Sequence, residues 1–139
     1  MKYVCDARGG RTWFRIETEA EAVAESEAMR HAVARYFQRE AERAGASYNP
    51  QGLSFIERDI GRKAHVARTM PLFVTLRADD GEALVTAMLP PEGKPDPNFK
   101  IVIVAAGNAD PYPLYLREID ALGAHFGMPL PRDRCFPYG

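Results

Sequence analysis

The sequence is poor in cysteine, histidine and net charge, and it holds no long apolar run. Cys5 and Cys135 are the only cysteines among 139 residues, one near each end. That scarcity excludes the disulfide framework of a small secreted domain and suits reduced thiols, so a cytoplasmic setting is expected. Lys and Arg number 18 against 19 Asp and Glu, for a formal charge of -1. Such a balance exerts no general pull on nucleic acid or on an anionic membrane, and a dedicated nucleic-acid binder is not expected. Any anion binding must come from a local patch. No stretch reaches the roughly 18 apolar residues that span a bilayer, and the start, MKYVCDARGG, lacks a signal-peptide core.

The catalytic and cofactor signatures are also missing. His31, His65 and His125 lie far apart, without H-E-x-x-H or paired C-x-x-C, so no metal and no cofactor is expected. Ser26, Ser47 and Ser54 lack the G-x-S-x-G elbow of a serine nucleophile. The junction from Val104 to Asp110 runs from an apolar strand through Gly107 into a helix start, a setting that often receives phosphate. Asp110 would cap that helix itself and repel an anion, and neither G-x-G-x-x-G nor G-x-x-x-x-G-K-[ST] occurs.

What is present is enough for one domain with a real core, at 46% hydrophobic and 27% charged residues. Gly9-Gly10 predicts a two-residue hairpin turn, because both positions tolerate positive φ. That turn puts Cys5 opposite Phe14 and Tyr3 opposite Ile16 on an apolar face. A second hairpin about Asp80-Gly81 pairs Leu72 with Leu89, Val74 with Ala87 and Leu76 with Val85, and leaves Thr75 opposite Thr86 on the other side. The unbroken apolar run Ile101 to Ala106 reads as a central strand covered on both faces.

Between the hairpins the pattern predicts one long helix from Glu19 to Ala44. Thr18 and Glu21 form a capping box at its start, and Gly45 is the expected left-handed cap at its end. Ala22, Met29, Val33, Tyr36, Phe37 and Ala44 share an apolar stripe. Residues 53–60 fit either helix or strand, and we read them as strand, with a weakly patterned segment following to Met70. Asp110 and Pro111 open a second helix, carrying Tyr115, Ile119, Leu122 and Phe126 on one face and ending at Gly127. The tail, 128–139, should run extended over the surface, anchored by Leu130 and Phe136. The expected fold is α+β: a predominantly antiparallel sheet of about five or six strands, one long helix and one shorter C-terminal helix.

Two features of the long helix stand out as functional candidates. His31, Arg35, Arg39 and Arg43 recur every four residues, which makes a basic ridge able to share an extended anion. Glu40 sits in the middle of the apolar stripe, where a desolvated carboxylate would be poised for proton transfer. A second basic segment, Arg58, Arg62, Lys63, His65 and Arg68, would enlarge the ridge if it folded beside it. Ala20, Ala24 and Ala28 line another face suited to close approach by a second copy. Three functional classes follow. The first is a non-catalytic binding module presenting the ridge to a small anion or an acidic protein. The second is an enzyme acting on a small anionic substrate, with Glu40 or His65 as acid or base. The third is a structural subunit of a homo-oligomer such as a homodimer.

Overall fold

The computed structural model describes residues 1–136. Five strands, β1 (Lys2–Asp6), β2 (Thr12–Arg15), β3 (Leu72–Arg77), β4 (Ala83–Leu89) and β5 (Val102–Ala105), form one sheet in sequence order, and every neighbouring pair is antiparallel. Helices α1 (Glu19–Met29), α2 (Val33–Ala46) and α3 (Phe55–Thr69) are inserted between β2 and β3, while α4 (Tyr112–Phe126) and the one-turn α5 (Arg132–Cys135) follow β5. The fold is α+β, as the sequence pattern predicts.

The β3–β4 hairpin has the predicted register, with Leu72, Val74, Thr75 and Leu76 opposite Leu89, Ala87, Thr86 and Val85. The β1–β2 register differs by one residue at Cys5 and by two at Tyr3. Gly9 and Gly10 both have positive φ, but Ala7 N–H donates to Arg11 O, so the loop holds three residues rather than two. Cys5 therefore faces Trp13, and a bulge then brings Tyr3 opposite Phe14.

The sheet separates two apolar clusters. Trp13, Leu72, Val74, Leu76, Val85, Ala87, Leu89 and Ile103 pack against Ile119 and Leu122 of α4, and Met128, Leu130, Cys135 and Phe136 close the edge. Burying each of Ile119 and Leu122 contributes about 1.5–3 kcal/mol. Leu130 and Phe136 anchor the tail as expected, although Arg132–Cys135 is a helical turn rather than extended chain; residues 137–139 of that predicted segment lie outside the described region. On the opposite face Ile16, Met70 and Phe73 meet Ala22, Val33, Phe37 and Ala44 of the first two helices.

The predicted long helix is broken. Thr18 forms its capping box as expected, but the helix stops at Met29, and Arg30 takes a left-handed conformation with φ 54°. Neither Gly nor Pro marks this break. Local side chains hold it instead: Ser26 Oγ accepts from Ala34 N–H at 2.8 Å, and His31 Nδ1 accepts from Val33 N–H at 3.4 Å. Together they satisfy first-turn donors of α2 that a continuous helix would have bonded to the backbone. The apolar stripe keeps its phase across the break, with Ala22, Met29, Val33, Phe37 and Ala44 buried and only Tyr36 turned outward. Gly45 is not the cap; it lies within α2, where Val66 of α3 approaches, and Ser47 Oγ donates to Ala44 O at the helix end.

Residues 55–69 are helix, not strand. Ser54 caps α3 by accepting from Glu57 N–H, and the helix rests on the C-terminal end of α2 through Val66, His65 and Tyr48. The apolar run at Ile101 also departs from expectation, because β5 is an edge strand. Ile103 lies within the α4 cluster, whereas Val102 and Val104, opposite Met88 and Thr86 on this edge strand, touch that cluster and also line a cleft on the other face.

Candidate functional site

The α1–α2 pair covers β2 to β4 but leaves the β4–β5 corner of that face open. The opening is a cleft of about 540 Å³, lined by His31, Ala32, Val33, Tyr36 and Arg39 on one side and by Phe73, Thr86, Met88, Lys100, Val102, Val104 and Asn108 on the other. The break at Arg30–Ala32 creates it. It places the first turn of α2 at the mouth and swings the imidazole of His31 down to the sheet.

A buried hydrogen-bonded series underlies this mouth. Glu25 is fully buried, accepts from the Arg77 guanidinium through Oε1, and accepts from Thr86 Oγ1 through Oε2 at 2.5 Å. Arg77 Nε also donates to Thr75 Oγ1 at 3.1 Å. Thr86 has one proton, and it goes to the carboxylate; its 2.8 Å contact with His31 Nε2 is then donated by the ring. Nδ1 is left as the acceptor for Val33 N–H, so both ring nitrogens are matched in the neutral form. Burial lowers the His31 pKa, which agrees with a neutral ring, although the His31 backbone and the Glu25 charge pull the other way.

The electrostatic character of the cleft follows from its lining. Lys100 and Arg39 are cations, His31 is titratable, and among the described residues no acid lines the cleft. Lys100 Nζ spends one hydrogen on Arg134 O at 3.0 Å, and Arg39 lies over the Tyr36 ring at 4.8 Å with Glu40 Oε1 at 3.6 Å from its guanidinium. Both keep donors in hand. Ala32, Val33, Phe73, Met88, Val102 and Val104 supply apolar walls, and Asn108, in a left-handed conformation with φ 61°, adds an amide.

The four members of the predicted basic ridge are therefore separated. His31 belongs to the break and turns inward, and Arg39 reaches the cleft. Arg35 is exposed, while Arg43 pairs with Glu40 at 3.3 Å. Glu40 retains 13% side-chain exposure and bridges Arg39 and Arg43. His65 sits away from the cleft lining, bonded to Ser47 Oγ at 2.7 Å and tilted against Tyr48. The second basic segment rides on α3, which packs beside the end of α2.

No protein-family model, curated protein or solved structure matches this chain.

Glu25, Arg77, Thr86, Lys100 and Asn108 are the site residues that sequence reasoning missed. Glu25 did carry a signal, because at 100° per residue it falls within the apolar stripe, close to Ala22 and Met29. Thr75 opposite Thr86 marked the polar spot on the sheet that this carboxylate meets. Asn108 lies in the Val104–Asp110 junction, whose strand-to-helix setting was a signal, whereas Lys100 carried none, since loop geometry alone brings it to the rim. Among the described residues, no three His, Cys, Asp or Glu side chains gather as a metal site requires.

Proposed function

We propose that the protein is a non-catalytic binding module for a small organic anion, one with a carboxylate-like head and an apolar body, held in the α2–β5 cleft. The observation that carries this reading is the charge of the lining: Arg39 and Lys100 line an apolar cleft with no acid in its wall among the described residues. The cleft volume is within the range of small-molecule sites, where apolar walls give affinity and a few polar groups fix orientation. The positive end of α2 adds to the attraction. In this reading Arg39 and Lys100 hold the head group, and His31 takes a proton at Nδ1 as the anion enters, freeing Val33 N–H toward it. Thr86 positions the ring, and the Glu25 carboxylate behind it offsets the ring's charge. The expected workplace is the cytoplasm, which the free thiols of Cys5 and Cys135 suit.

A thermal-shift series of carboxylates, from acetate to naphthoate, tests it. Affinity should rise with apolar size and raise the melting temperature by mass action. Arg39→Ala with Lys100→Ala should remove the shift. A shift that survives both substitutions rules out this cleft.

A further inference from the structure

Helix α3 carries a surface that the cleft does not explain. It has no buried residue along its 15 positions. Its inner side is fixed by Gly61 beside Tyr48, His65 on Ser47, and Val66 beside Gly45. At 100° per residue Ile56, Ile60, Lys63 and Ala67 form the opposite stripe, and Ile56 and Ile60 are 71% and 63% exposed. Phe55, at the first turn, is 80% exposed. A helix of this length is marginal in water by itself and draws its stability from packing an apolar face.

The charges along the stripe are arranged to match themselves in reverse. Glu57 and Asp59 flank the stripe in the first half, and Lys63 and Arg68 lie on or beside it in the second, while Arg58 and Arg62 turn toward the inner side. Asp59 and Lys63 form an ion pair at 3.2 Å along the edge of the stripe. We propose that this face docks against the same face of a second copy, the two α3 helices running antiparallel about a twofold axis near residues 61–62. Ile60 then lies over the aliphatic stem of Lys63 from the other copy, and Ile56 over its Ala67. The two Asp59–Lys63 pairs meet as a four-charge cluster of alternating sign, and the acidic first half of each helix faces the basic second half of the other. A parallel arrangement would set like charges together. An anionic lipid surface fits less well, because Glu57 and Asp59 flank the same stripe.

The test is the mass of the full chain in solution, by light scattering on a size-exclusion column at micromolar concentration. Wild type should elute as a dimer, and Ile60→Glu as a monomer with an unchanged circular dichroism spectrum and melting temperature. Asp59→Lys and Lys63→Glu should each weaken the dimer at least tenfold, and an equimolar mixture of the two variants should recover it as a heterodimer. Recovery by mixing is something a purely intrahelical effect cannot produce. A monomeric wild type, an Ile60→Glu variant that stays dimeric, or a mixture that fails to recover would each overturn the proposal. So would a monomer that binds vesicles of anionic lipid through α3.

Discussion

The two faces of the sheet are built from similar materials and differ in how completely they are filled. On one face α4 and the tail close over Val74, Leu76, Val85 and Ile103, and a buried carboxylate there, Glu118, is paired with Arg11 at the margin. On the other face α1 and α2 bend at Arg30, leave the β4–β5 corner uncovered, and place the buried carboxylate of Glu25 beneath the opening. An unbroken helix would have run straight past His31 and left it on an outer ridge. The break turns a stabilising face into a shaped one, at the cost of a non-glycine residue in the left-handed region, about 1 kcal/mol.

The contrast can be broken most severely at its two buried anchors. Glu25→Ala removes the carboxylate that Arg77 and Thr86 both donate to, leaving Arg77 only its bonds to Thr75 and Gly81, and should cost about 2–4 kcal/mol in urea unfolding while freeing the Thr86 proton beneath His31. Leu122→Ala, on the closed face, should cost about 2–5 kcal/mol through its cavity, yet leave the affinity for a carboxylate unchanged in the surviving folded protein. If Leu122→Ala weakens binding as much as Glu25→Ala does, the faces are not independent.

Much of this contrast was legible beforehand. The β3–β4 register, the Thr18 capping box, the Asp110 and Gly127 ends of α4, and the anchoring of Leu130 follow from local patterns that the fold does not override. The break after Met29 was hidden because the stripe keeps one phase on both sides and the capping groups, Ser26 and His31, are ordinary within a helix. Residues 55–69 misled for a different reason, since Phe55, Ile56 and Ile60 are apolar without being buried, and burial is what periodicity assumes. The run at Ile101 was apolar because one side of β5 walls the cleft, not because the strand is central.

Smaller perturbations sharpen the comparison. Arg39→Ala and Lys100→Ala should each weaken carboxylate binding about tenfold, equal to about 1.4 kcal/mol, and change stability by no more than about 0.5 kcal/mol, as calorimetry and urea unfolding would establish. Arg30→Gly relieves the left-handed position and should raise stability by about 0.5–1 kcal/mol, whereas a loss would mean that the Arg30 side chain contributes to the bend. The smallest effect concerns pH. Burial holds His31 below its ordinary pKa, so the unfolded chain binds the proton more readily. The stability this gives is complete above the unfolded value of about 6.5 and is lost as pH falls through it toward the native pKa. His31→Gln should therefore flatten the decline in stability between about pH 7 and 5, and parallel curves would mean that another group dominates that window.

The most direct test is an amide chemical-shift titration of the protein with naphthoate. Saturable shifts centred on His31, Val33, Thr86, Lys100, Val102 and Asn108, with α3 and α4 unaffected, are the predicted result. Shifts that concentrate elsewhere, or none at millimolar naphthoate, would contradict a binding function for the open face of the sheet.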